Sequence, residues 1–77
     1  MTTKFNKHAP LVSVVMPNYN SEGVLELAIQ SVLSQTYKNL ELIIVDDFSN
    51  DDSRSVIAKF SSLDSRIIPV YKESNEG

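Results

Sequence analysis

Four carboxylates and one aromatic ring carry the chemistry that this chain could perform. Asp46 and Asp47 are adjacent, and Asp51 and Asp52 follow in the polar stretch Ser49-Asn50-Asp51-Asp52-Ser53. Neighbouring acids can accept hydrogen bonds from the N–H groups of a ligand, or supply oxygen ligands to a hard cation such as magnesium. Tyr19 lies in the turn Pro17-Asn18-Tyr19-Asn20. An aromatic ring so placed can stack on a heterocyclic base while a nearby acid accepts from the base's N–H groups. Each residue also has a plainer reading. Asp46 and Asp47 would serve as a solvated turn, and Tyr19 would pack against a neighbouring helix. Asp51 and Asp52 immediately precede a helical pattern, where caps and first-turn acids are expected, and they are read as such. His8, the only histidine, sits in a polar leading segment and reads as a surface residue.

The flanking patterns say which elements would hold these groups. Residues 40–45 are mostly apolar and rich in β-branched side chains, and from Leu42 to Val45 neither face is polar. This fits a strand buried on both sides. Successive strand residues point to opposite faces, so Asp46 and Asp47 must diverge. One of them can overhang the crevice at the strand's carboxyl end, where open α/β sheets bind ligands. Residues 11–16 form another run of strand length. That strand is expected to stop at or near Met16, because Pro17 cannot donate to a ladder and Asn18 and Asn20 suit a turn.

Between these strands, Ser21 is placed to cap a helix with Glu22 in its first turn. Leu25, Ala28, Ile29, Val32 and Leu33 recur at helical spacing, which predicts an amphipathic helix ending near Gln35. Gly23 weakens it by up to about 1 kcal/mol relative to alanine if it lies in the interior. A shorter helix is predicted from about Ser53, with Val56, Ile57, Phe60 and Leu63 on one face. Residues 66–71 read as a third strand, which Pro69 confines to an edge.

Strand, helix, strand, helix, strand makes two successive β-α-β units. Right-handed crossovers then give an α/β fold with a three-stranded parallel sheet in the order 3-2-1 and both helices on one face. The other face would be uncovered and the outer edge of the first strand unpaired, two features that drive association. Self-association is therefore expected. Residues 1–10 are polar and aperiodic and are expected to be a flexible lead-in, leaving 11–77 as a single partial domain.

Composition limits the functional classes. Seventy-seven residues make at most one small domain, and chains of that size bury only about 60% of their unfolded surface. With 42% hydrophobic and 22% charged residues and a net charge of −3, neither disorder nor a basic nucleic-acid-binding face is indicated. There is no cysteine, so disulfides and thiolate metal sites are excluded. No apolar run approaches the roughly 20 residues of a membrane span, and the first residues lack a signal-peptide core. The only glycines are Gly23 and Gly77, so the turn after the first strand carries neither a dinucleotide fingerprint nor a Walker-type phosphate loop. A phospho-receiver domain would carry its acids on the first strand and an aspartate after the third. Here the acidic pair follows the second strand, and the third continues Val70-Tyr71-Lys72-Glu73.

Three segments together carry a more specific signal. Val12-Ser13-Val14-Val15-Met16-Pro17-Asn18-Tyr19-Asn20, then Ser31-Val32-Leu33-Ser34-Gln35-Thr36-Tyr37, then residues 41–53 resemble the start of a family 2 glycosyltransferase of the GT-A fold. The resemblance covers residues 11–77. It implies the first half of a Rossmann-like nucleotide-sugar-binding domain, truncated at the carboxyl end. It further implies a parent enzyme that transfers a sugar from a nucleoside-diphosphate sugar, a UDP-sugar, to a saccharide or glycolipid acceptor in polysaccharide or glycoconjugate synthesis. By position, Pro17 and Tyr19 would line the base pocket and Asp47 would accept from the uracil ring, with Asp46 the less favoured candidate. A divalent cation, manganese or magnesium, is implied for the complete enzyme. Its Asp-x-Asp-type ligands and the acceptor-activating base belong to later segments, of which residues 75–77 resemble only a beginning. The chain alone is then expected to be inactive. The parent would be cytoplasmic, or peripheral at the inner face of the membrane. The rival reading is a non-catalytic module that binds nucleotide or a protein partner.

Overall fold

A computed structural model describes residues 2–5, as backbone, and 11–74. His8, Pro10 and residues 75–77 lie outside the described residues. In chain order the elements are β1 (Thr2–Phe5), β2 (Val12–Asn18), α1 (Glu22–Leu33), β3 (Leu40–Asp46), α2 (Ser53–Leu63) and β4 (Ile67–Tyr71). The sheet order is β1-β2-β3-β4. β2, β3 and β4 are parallel, as the two β-α-β units require, and β4 lies at an edge. β1 is an addition: part of the expected lead-in runs antiparallel to β2 over residues 12–15. The outer edge of the first parallel strand, expected to be bare, is thus paired there by the backbone of residues 2–5.

Both prolines within strands sit where a missing N–H costs no ladder bond. The N–H of Val12 and the C=O of Asn18 both bond toward the β3 side, to Asn39 O and Asp47 N. Strand alternation then turns Pro17 to the opposite side, beyond the reach of β1. β2 therefore continues to Asn18 rather than stopping at Met16. In β4, Lys72 N bonds to Asp46 O and Leu42 N to Arg66 O, so Pro69 faces the free edge.

One face of the sheet holds the core. Val14 and Met16 of β2, Leu40, Leu42 and Ile44 of β3, and Ile67 of β4 pack with Leu25, Ile29 and Val32 of α1 and Ile57 and Phe60 of α2. Ile29, Leu42, Ile44 and Ile57 are fully buried, each worth about 1.5–3 kcal/mol of transfer free energy. The stripe expected on α1 is observed, with Ala28 and Leu33 at its margin. On α2 the expected face loses Leu63, which is 72% exposed. It is the last helical residue, after which the chain leaves in an extended conformation at Asp64. The opposite face of the sheet carries Val15, Ile43, Val45, Ile68 and Val70, with Ile68 and Val70 exposed. No helix among the described residues is long and apolar enough to cross a membrane.

Candidate functional site

The register of the three parallel strands aligns their carboxyl ends in two rows. Asn18, Asp46 and Tyr71 are partners across β2, β3 and β4. The next residues, Tyr19, Asp47 and Lys72, therefore stand side by side, and alternation turns them to the helix-free face. The chemistry divides between the rows.

The first row faces the helices, with Asn18 and Asp46 buried and Tyr71 exposed. Asp46 has no exposed surface, and Asn18 is 5% exposed. The Asp46 carboxylate accepts from Asn18 Nδ2 (2.9 Å), Ser49 Oγ (2.6 Å), Ser49 N–H (2.9 Å) and Arg54 Nε (2.8 Å). Burial on its own would raise the Asp46 pKa. The donors on Ser49, Arg54 and Asn18 outweigh it and bring the pKa down to about 2. Arg54 also donates through Nη2 to the Lys72 carbonyl, and its guanidinium lies 5.2 Å from the Tyr71 ring centroid and 5.7 Å from that of Phe48. Such stacking adds cation–π attraction to the ion pair. Arg54 thus ties the ends of β3 and β4 to the first turn of α2.

The loops after β2 and β3 are joined by further polar contacts. Ser49 Oγ accepts from the Asn20 amide (2.9 Å), and Asn20 Oδ1 accepts from the Asn50 amide (2.9 Å). Asn20 adopts φ 48° and Phe48 φ 61°. In this left-handed region asparagine is tolerated and phenylalanine is strained. The turn at Phe48 brings Ser49 back over Asp46. Asp51 accepts from the Glu22 amide (3.2 Å) at the start of α1 and from the Ser53 amide (2.9 Å) at the start of α2. Glu22 Oε1 in turn accepts from the Asp52 amide (3.3 Å). One carboxylate therefore caps both helices. Ser21, expected as the α1 cap, instead donates its hydroxyl to the Tyr19 carbonyl (3.0 Å).

The second row borders a cleft of about 210 Å³ lined by Pro17, Asn18, Tyr19, Val45, Asp47 and Lys72. Whole ligand sites usually measure about 300–1,000 Å³, so this one fits a single ring and not a complete nucleotide sugar. Tyr19 is 48% exposed and available for stacking. Asp47 Oδ1 lies 3.8 Å from Lys72 Nζ. A wider, shallower hollow of about 390 Å³ on the α2 flank is lined by Arg54, Ser55, Ala58 and Tyr71. Its one cation is already engaged by Asp46 and the Lys72 carbonyl.

Three of the four residues singled out from the sequence, Pro17, Tyr19 and Asp47, meet in this cleft, whereas Asp46 faces the helices. Lys72 joins these three, a residue that the sequence reading does not single out, because only the observed register sets it beside Asp47. The residues present do not fit a cation site: no group of three or more His, Cys, Asp or Glu among the described residues is placed to hold one. Both Asp51 oxygens serve the helix amides.

Three parallel strands of an α/β sheet thus bring an aromatic ring, an acid and a cation together at their carboxyl ends. The chain belongs to glycosyl transferase family 2, whose model matches residues 13–77. It is 44% identical over 68 residues to a putative teichuronic acid biosynthesis glycosyltransferase of Bacillus subtilis, covering 88% of this chain and 27% of that protein. It is 46% identical over 67 residues to an Escherichia coli UDP-Glc:α-D-GlcNAc-diphosphoundecaprenol β-1,3-glucosyltransferase, covering 87% and 26%. The chain spans about a quarter of the length of these relatives. The fold is that of a mannosyltransferase from Pyrobaculum calidifontis solved in complex with GDP-Man and Mn²⁺, with a TM-score of 0.77 at 22% identity, covering 87% of this chain and 20% of that one.

Proposed function

We propose that this chain is the nucleotide-binding part of a glycosyltransferase that moves a sugar from a nucleoside-diphosphate sugar, a UDP-sugar, to a saccharide or glycolipid acceptor in polysaccharide or glycoconjugate synthesis. The observation that carries this reading is the cleft in which Tyr19 and Asp47 stand side by side at the strand ends. Tyr19 stacks on the base, Pro17 closes the apolar side, and Asp47 accepts from a ring N–H. Asp46 never meets the ligand. With Asn18, Ser49 and Arg54 it holds the loop that aims Asp47 outward. In the complete enzyme a divalent cation would supply charge neutralisation at the diphosphate, held by residues other than those described. The reading also places the complete protein in the cytoplasm or at the inner face of the membrane.

The test is a titration with UDP, UDP-sugars and GDP-sugars, with and without manganese. UDP and UDP-sugars are expected to saturate one site, with base contacts unaffected by the metal. Failure of every nucleotide to bind would overturn the reading.

A further inference from the structure

We propose that Lys72 is a specificity-determining residue that reads the base together with Asp47; the inference rests on the nucleotide-binding reading above. The two side chains stand next to each other on the cleft wall, an acceptor beside a donor, 3.8 Å apart. At that separation the two form an ion pair longer than a hydrogen bond. The main chain of Lys72 is fixed from two sides. Its N–H donates to the Asp46 carbonyl at 2.9 Å, and its own carbonyl accepts from Arg54.

An adjacent acceptor and donor suit a ring that presents an N–H beside a carbonyl. Uracil does so at N3–H and O4: N3–H faces Asp47 and O4 faces Lys72. Cytosine has the same size and shape but carries the reverse pattern at these two atoms. Held in the same pose against Tyr19, it turns a ring-nitrogen lone pair toward the carboxylate and an amino group toward the ammonium. Both contacts are then repulsive, and buried or half-buried polar groups left without partners are what make such discrimination steep. The pair therefore selects uracil over cytosine, with Lys72 supplying the carbonyl donor.

The experiment is an amide-resolved NMR titration of the 77-residue chain with UDP and CDP, a matched pair, in the native form and in Lys72→Met. The spectra report folding and binding together. The native chain should bind UDP at least tenfold more tightly than CDP, with shifts centred on Tyr19, Asp47 and Lys72. Lys72→Met should lose about 10- to 150-fold in UDP affinity, the usual effect of one hydrogen bond to a charged group, and narrow the UDP to CDP ratio. Lys72→Glu, which presents an acceptor to the cytosine amino group, should narrow it further. A UDP to CDP ratio that is the same in all three folded chains would overturn the inference and leave nucleotide binding standing. Absence of binding by either nucleotide to the folded native chain would overturn both.

Discussion

Asp46 and Asp47 are neighbours in sequence and point to opposite faces of the sheet, the first wholly buried among four hydrogen-bond donors and the second on the wall of the strand-end cleft. Strand alternation separates the pair into a residue that holds the loop and a residue on the cleft wall. Their substitutions should therefore fail in different ways.

Replacing Asp46 should cost stability in a pH-dependent manner. Its folded pKa of about 2 lies below the ordinary 3.8, so its contribution is fully present above pH 4 and is lost as the pH falls through 2. The shift corresponds to about 2–3 kcal/mol. Urea denaturation at pH 7 should find Asp46→Asn less stable by roughly that amount, with the gap to the native chain closing between pH 4 and pH 2. A gap that stays constant across this range would show that the carboxylate's ionisation is not what stabilises the loop.

Asp51→Ala removes an acceptor shared by the first amides of α1 and α2. The melting temperature should fall by about 5 °C or more, while UDP affinity stays unchanged, because Asp51 lies outside the cleft. A parallel loss of affinity would place Asp51 in the binding site.

The helix-free face predicts self-association. Ile68 and Val70 are exposed there beside half-buried Val15, Ile43 and Val45, a continuous apolar surface of the kind that seeks a partner. Because β1 pairs the outer edge of β2, we infer that two copies meet face to face rather than edge to edge. Sedimentation equilibrium over a hundredfold concentration range should show dimer formation by the native chain and its loss in Val70→Lys. A monomer throughout would contradict this.

The isolated chain should neither transfer sugar nor hydrolyse a donor. The described residues offer a ring-sized cleft and no cluster of metal-ligating side chains. Metal-dependent product formation from a UDP-sugar, above a buffer control, would count against a purely base-binding role.

Most of the framework was legible in the chain because it depends on local patterns: β-branched runs for the parallel strands, a 3.6-residue stripe for α1, and Pro69 at an edge. The divergence of Asp46 and Asp47 followed from strand alternation alone. What could not be read depends on contacts distant in sequence. The pairing of residues 2–5 with β2 is such a contact, and so is the freedom of Pro17 to stay within β2 where β1 no longer reaches. Asp51 was expected to act at α2 only, since its bond to the Glu22 amide spans two elements. Lys72 gains meaning only from a register that places it beside Asp47.

The most direct test of the central claim is calorimetric titration of UDP into the native chain, Asp47→Ala and Asp51→Ala. The account predicts a loss of about 1.5–3 kcal/mol in binding free energy for Asp47→Ala, the range for a hydrogen bond to a charged group, and none for Asp51→Ala. Equal losses in the two variants, or undiminished affinity in Asp47→Ala, would contradict it.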